Sequence, residues 1–362
     1  MNTTDAFWMR RCITLAQKGT GNVSPNPLVG AVIVKNGRKI GEGFHRVYGE
    51  AHAEINAIKE AGKKENDLEG ATIYINLEPC FHYGHTPPCV DEIIKRRFSR
   101  VVIAMNDPNS LVAGKSVRKL LHNNIQCTVG VLRKEAEYLN EKFIKYISKG
   151  IPFVALKAAQ SADGFIAHAD GRSRWITNKQ SRTYVHRLRN EYDAVLVGAT
   201  TAMKDDPELT VRLVKGRNPL RVIIDGNFSI ESDRKIFNGK TETMLFTSKT
   251  AFSRNREKVK QLKKKKVSII VSSSNSGKLR VNDVLVHLGK KKIASVLVEG
   301  GSKIYSAFLK EKAVDKIYLF TAEKKFEKGV KTFYDDDIKE SSWHCGNKRM
   351  FGTDTLEELY PA

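Results

Sequence analysis

One imidazole, two thiols and one carboxylate recur in an order able to do hydrolytic chemistry: His52-Ala53-Glu54, then Leu77-Glu78-Pro79-Cys80, then Pro87-Pro88-Cys89. Three protein ligands plus a water is the arrangement of a catalytic zinc, whereas four protein ligands read as structural. His52, Cys80 and Cys89 supply three. A neutral imidazole with two thiolates balances the dication, so a water in the fourth position loses its proton near neutrality. Glu54, two residues past a ligand, is placed to carry that proton to a leaving amino group. His-x-Glu with Pro-Cys-x-x-Cys is the signature of zinc deaminases. Here eight residues, Phe81 to Pro88, separate the cysteines. The donor set suits zinc without excluding neighbours in the affinity series. His45, His82 and His85 stand open as alternative ligands or ordinary polar loop residues.

These ligands need elements to hold them. The first half alternates helix-like and strand-like stretches, as an α/β domain does. Phe7 to Gln17 is amphipathic, Val29 to Lys35 is a short apolar strand, and His52 to Glu60 opens a helix. Ala71 to Leu77 is a strand that delivers Cys80, Pro88 to Arg96 a ligand-bearing helix, Val101 to Met105 a strand and Gly114 to His122 a helix. Ligands thus fall just beyond strand ends and at helix N-termini, where backbone N–H groups favour thiolate. A polar helix from Glu135 to Gly150 ends this domain, and Pro152 precedes a new strand.

From Phe153 the pattern restarts. Strands are expected at Phe153 to Ala158, Ala194 to Gly198, Arg221 to Asp225, Thr243 to Thr247, Val267 to Val271, Ser295 to Glu299 and Lys316 to Thr321. Helices fall between most of them, at Lys179 to Glu191, Arg254 to Leu262, Asn282 to Gly289 and Ser302 to Lys310. A mainly parallel sheet follows. Past Gly329 the pattern fades, and Thr355 to Ala362 gives no convincing strand. No Gly-x-Gly-x-x-Gly follows the first strand, so an ordinary dinucleotide fold is not supported. Val298-Glu299-Gly300-Gly301-Ser302 lies at a strand-to-helix transition, either a phosphate-binding turn or simply a tight one.

Composition sets the outer limits. At 362 residues with 41% hydrophobic content, two globular domains are expected. No apolar run reaches a membrane span and the N-terminus lacks a secretory core, so a cytoplasmic protein with no membrane partner is expected. Five cysteines, two of them in the metal pattern, argue against a disulfide framework. The net charge of +22 invites nucleic acid. Yet the lysines are spread along both halves, and the densest run, Lys263 to Lys266, reads as a solvated helix end. An acidic small-molecule substrate also suits a basic protein.

The segments Pro25-Asn26-Pro27-Leu28-Val29-Gly30, Gly41-Glu42-Gly43-Phe44-His45, His52-Ala53-Glu54, Leu77 to Cys89 and Asp107-Pro108-Asn109 resemble the deaminase half of the bifunctional riboflavin biosynthesis deaminase/reductases. The wide cysteine spacing is a mark of that family. Leu156-Lys157, Ser161-Ala162-Asp163-Gly164, Gly171 to Thr177, Asp205 to Arg212 and Val298 to Gly301 resemble its reductase half. The resemblance implies a cytidine-deaminase-like three-layer domain over 1–147 and a dihydrofolate-reductase-like α/β domain over 151–362. It implies zinc-dependent hydrolysis of the 2-amino group of a diaminopyrimidinone ribosylamino 5′-phosphate, then NADPH-dependent reduction of the ribosyl group to ribityl. Asn26, His45 and His82 would hold the pyrimidine. Ala159, Trp175, Thr201, Asp205, Gly226, Gly301, Ser302 and Lys303 would contact NADPH. Ser173, Arg189, Leu209, Arg212 and Glu299 would face the substrate, with Lys157 and Glu299 the candidates to polarise or protonate the sugar. Without the resemblance Lys157 reads equally as a strand-end surface lysine. A homo-oligomer is expected from the family, with no nucleic-acid partner. Phe81 stands where a small residue is usual, His85 where Arg or Lys is, Ser110 where Pro is and Ser116 where Gly is. Two rivals remain: a nucleic-acid base deaminase with an RNA-binding second domain, and a family member with one active half.

Overall fold

The computed structural model describes residues 3–63, 67–81, 87–110, 112–170, 175–275, 278–334 and 342–362. The chain divides into two compact units, Met1–Gly150 and Ile151–Ala362. Among the described residues no helix is long and apolar enough to cross a membrane.

The first unit runs α1 (Thr3–Ala16), β1 (Gly30–Lys35), β2 (Arg38–Phe44), α2 (Ala53–Gly62), β3 (Thr72–Ile75), α3 (Cys89–Lys95), β4 (Arg100–Ile103), α4 (Lys115–His122), β5 (Gln126–Val129), α5 (Arg133–Leu139) and α6 (Glu141–Lys149). Its sheet has the order β2-β1-β3-β4-β5, antiparallel across β2, β1 and β3 and parallel beyond. Buried β1 reads as a continuous apolar run because helices cover both of its faces. Glycines set how closely they lie. A Cβ on Gly30 would meet the Cys12 carbonyl of α1 at 2.1 Å, and one on Gly43 would meet the Ala57 nitrogen of α2 at 2.4 Å. Two glycines in β2 hid that strand from the sequence reading, since glycine weakens a strand pattern.

The polar helix expected from Glu135 to Gly150 is two helices. Between them Asn140 is buried, and its side chain accepts from the Leu28 N–H at 2.8 Å and donates to the Leu28 carbonyl at 3.1 Å. That tie fixes the chain entering β1.

The second unit runs β6 (Phe153–Gln160), β7 (Phe165–His168), α7 (Lys179–Glu191), β8 (Ala194–Gly198), α8 (Ala199–Asp205), β9 (Leu220–Ile224), β10 (Thr243–Ser248), α9 (Lys249–Arg254), α10 (Arg256–Lys264), β11 (Val267–Ser272), β12 (Ser274–Asn275), β13 (Lys278–Leu279), α11 (Val281–Lys290), β14 (Ser295–Val298), α12 (Ser302–Lys310), β15 (Lys316–Thr321), β16 (Gly329–Lys331), β17 (Trp343–Phe351) and β18 (Asp354–Pro361). Its main sheet is nine-stranded, in the order β11-β10-β9-β8-β14-β6-β15-β18-β17. Within it β11, β10, β9, β8, β14, β6 and β15 run parallel, and β18 and β17 close the edge antiparallel.

That edge corrects the expectation of no strand over Thr355 to Ala362. In β18 Asp354, Leu356 and Glu358 face inward at period two, so two of the three buried positions are acidic. Glu358 pairs with buried Lys316 of β15 at 2.8 Å and with Arg349 of β17 at 2.6 Å. Asp354 accepts from the Asn178 N–H and from the Ser181 hydroxyl. Charges satisfied from neighbouring elements broke the apolar alternation that marks a half-buried strand.

Candidate active sites

In the first unit the three metal-ligand candidates come from three elements. His52 caps α2 with extended backbone, Cys89 opens α3, and Cys80 follows β3. His52 Nδ1 lies 3.5 Å from Cys80 Sγ and 3.3 Å from Cys89 Sγ, and the three donor atoms fall within 4.8 Å of one another. The Cys89 N–H also donates to Cys80 Sγ at 3.2 Å. The thiol of Cys89, with help from His52, holds Cys80 down to about 4, while the same contact and burial push Cys89 well up. One imidazole and two sulfurs converging on a point fit zinc, and a bound cation draws off the second proton.

Glu54 is buried on the first turn of α2, and burial raises its carboxyl to about 7. It lines a cavity of about 270 Å³ with His52, Cys80, Asn26, His45 and Asn109. Hydrogen bonds fix two of these polar groups. His45 Nδ1 faces the Ala51 carbonyl at 3.2 Å, so that nitrogen carries the hydrogen and Nε2 accepts from Asn26 Nδ2 at 3.1 Å. Asn26 Oδ1 is then the acceptor left for a ligand. His82 and His85 lie outside the described residues.

Glu78, which the sequence reading left without a role, is buried under this site. Its carboxylate accepts from the backbone N–H groups of Asp107, Gly114, Ser116 and Val117, tying the Cys80 segment to the N-terminus of α4. Ser116 adds a hydroxyl bond to the Pro79 carbonyl at 2.7 Å. Phe81 packs against the core, with the ammonium groups of Lys115 and Lys119 over its ring at 6.0 and 5.5 Å. Ser110 is exposed in a turn.

In the second unit a cavity of about 760 Å³ opens at the carboxyl ends of the parallel strands, where ligands bind in such sheets. It gathers Lys157, Ala159, Trp175, Thr201, Asp205, Arg189, Leu209, Arg212 and Glu299. Register places two of them together: Val298 of β14 pairs with Leu156 of β6, so Glu299 emerges beside Lys157. Burial lowers the Lys157 ammonium against the pull of Glu299. Burial works to raise Glu299, but Arg189 outweighs it and holds the carboxyl below its usual range.

Arg189 grips Glu299 through two bonds of 2.6 and 2.8 Å and donates a third to the Thr210 carbonyl. Its fork is therefore spent on orienting Glu299 rather than offered to a phosphate. Arg212, half-exposed, holds Glu208 and Thr210 from the rim. Trp175 is exposed with the Arg182 guanidinium 4.3 Å from its ring centre. Gly226, Gly301, Ser302 and Lys303 do not line the cavity. The Gly226 carbonyl accepts from Ser248 N–H, the Ser302 hydroxyl donates to the Lys331 carbonyl, and Gly301 lets Thr201 approach within 3.1 Å of where a Cβ would stand. Ser173 lies outside the described residues. His186, missed from sequence, lines the same cavity.

Residues 152–355 match the family model described as RibD C-terminal domain, and residues 2–105 match the cytidine and deoxycytidylate deaminase zinc-binding region. The riboflavin biosynthesis protein RibD of Aquifex aeolicus is 41% identical over 328 residues, covering 90% of this chain and 89% of that protein. The chain belongs to the RibD family. The Escherichia coli RibD is 37% identical over 88% of each chain. A crystal structure from Thermotoga maritima, described as a diaminohydroxyphosphoribosylaminopyrimidine deaminase/5-amino-6-(5-phosphoribosylamino)uracil reductase, superposes with a TM-score of 0.89 at 42% identity and covers 99% of both chains. RibD proteins are bifunctional enzymes of riboflavin biosynthesis, so the two cavities belong to a zinc-binding deaminase half and a reductase half. The part of the chain that the rival reading gave to RNA binding matches the RibD C-terminal domain.

Proposed function

We propose that residues 1–147 hydrolyse the 2-amino group of 2,5-diamino-6-(5-phosphoribosylamino)pyrimidin-4(3H)-one, and that residues 151–362 reduce the ribosyl group of the product to ribityl with NADPH. The convergence of His52, Cys80 and Cys89 beside buried Glu54 carries the first half of this reading. His52, Cys80 and Cys89 would hold zinc, which when bound acidifies water to supply the nucleophile. Glu54, poised near neutrality, takes the proton leaving that water and gives one to the departing amine, so ammonia leaves and a carbonyl replaces it. Asn26, oriented by His45, accepts from the ring.

In the second half the cofactor supplies a hydride, and the chain orients the sugar and moves a proton. The ring C–O bond of the ribosyl group breaks, its oxygen takes a proton, and the anomeric carbon takes the hydride. Glu299, kept ionised by Arg189, serves as an acceptor for sugar hydroxyls. Lys157, with its lowered affinity for a proton, is the donor. Arg212 at the rim reaches the phosphate, and Trp175, Thr201 and Asp205 line the cofactor side. Work in the cytoplasm, where thiols stay reduced, and assembly as a homo-oligomer belong to the same reading.

Incubating the full chain with the diaminopyrimidinone phosphate and no NADPH should release one equivalent of ammonia, and adding NADPH should then start its oxidation. Nucleotide oxidation with no prior ammonia would count against this order.

A further inference from the structure

On the reading that this cavity is the reductase site, we propose that His186 is a substrate-binding donor there, its Nε2–H directed at an oxygen of the ribosyl phosphate while Nδ1 holds the loop that carries Arg212. Arg182, His186 and Arg189 stand at i−4, i and i+3 on α7 and so share one face of that helix, and all three line the cavity. His186 Nδ1 accepts from the Arg212 backbone N–H at 2.9 Å. A backbone N–H only donates, so Nδ1 bears no hydrogen and the neutral ring carries its own on Nε2. Burial, and then the charges of Arg189 and Arg212, push the ring down to about 4, so it is neutral at physiological pH. With Nδ1 engaged by the Arg212 N–H, Nε2 is the ring nitrogen left to meet a ligand in the cavity that His186 lines.

A neutral donor suits this position. Arg189 and Arg212 already hold carboxylates, and a further cation beside Lys157 would depress its ammonium again. A directional N–H adds a substrate bond without that cost. The same loop contains Asp206 and Leu209 in left-handed backbone, with φ of 40° and 52°.

The two ring nitrogens can be separated by substitution. His186→Gln places an amide N–H near the position of Nε2, while His186→Asn keeps an acceptor near Nδ1 and loses the donor. In the full chain, His186→Gln should retain kcat/KM for the deaminated pyrimidine within about three-fold, and His186→Asn should lower it about ten-fold. NADPH affinity and ammonia release should be unchanged in both. Equal losses, or a sparing of His186→Asn alone, would overturn the donor role. Nitrogen-15 histidine spectra of the unsubstituted protein supply a readout independent of variant folding. The Nε2–H resonance of His186 should shift on adding the deaminated pyrimidine phosphate, and a resonance unmoved at saturation would overturn the proposal. Failure of the unsubstituted chain to oxidise NADPH with that pyrimidine would instead sink the site assignment on which it rests.

Discussion

Glu54 owes its proposed role to two things: His52, two residues before it, brings it to the candidate metal position, and burial on α2 raises its carboxyl to about 7. Glu54→Gln keeps the shape and loses the proton path, so ammonia release should fall about 10² to 10⁴-fold with zinc content unchanged by metal analysis. Loss of the metal as well would place Glu54 among the ligands. The three candidate metal ligands, which the structure brings within 4.8 Å of one another, were legible in the chain because their residue types are rare in combination and ordered along it. Glu78 was not. Its partners are backbone N–H groups 29 to 39 residues downstream, which no side-chain pattern announces. His186 was hidden for a related reason, since its Nδ1 partner is a backbone N–H and its helix reads as merely polar. Ser116, where the resemblance leads one to expect glycine, donates its hydroxyl to the Pro79 carbonyl. Ser116→Ala should cost about 1 kcal/mol in denaturant unfolding, the worth of one buried hydrogen bond. A cost near zero would mean that this bond adds nothing.

At the level of elements, close approach of α2 to β2 aims both His52 and Glu54, and Gly43 sets that approach. Gly43→Ala forces backbone to move, because the new Cβ would lie 2.4 Å from the Ala57 nitrogen and 2.6 Å from the Ala53 carbonyl. Both zinc content and ammonia release should drop, while NADPH oxidation with the deaminated pyrimidine persists. Zinc retained at full occupancy would show that the helix tolerates the shift. The parallel strands of the second unit were legible as apolar runs buried on both faces. The β17–β18 edge was not, because Glu358 sits at an inward position and is balanced by Lys316 from another strand. Lys316→Met removes one partner of a pair in which each side chain is 1% exposed, and should cost about 3 kcal/mol in denaturant unfolding even with Arg349 still in place. A loss under about 1 kcal/mol would show that Arg349 alone suffices.

For the molecule as a whole, the two units hold two chemistries with no residue in common, zinc hydrolysis in one and hydride transfer in the other. The order of motifs along the chain made this division readable, whereas the high positive charge did not point to function at all. Chelating the metal should therefore stop ammonia release and spare reduction of a pyrimidine that has already lost its amino group. The most direct test crosses single substitutions in the two sites and follows ammonia and NADPH separately in the same full-length protein. Glu54→Gln should lower ammonia release by about 10² to 10⁴-fold yet oxidise NADPH normally with the deaminated pyrimidine phosphate, and Lys157→Met should do the reverse, releasing ammonia at the unsubstituted rate while reduction falls at least about 10²-fold. Ammonia released normally by Glu54→Gln, or reduction undiminished in Lys157→Met with NADPH still bound, would contradict the account.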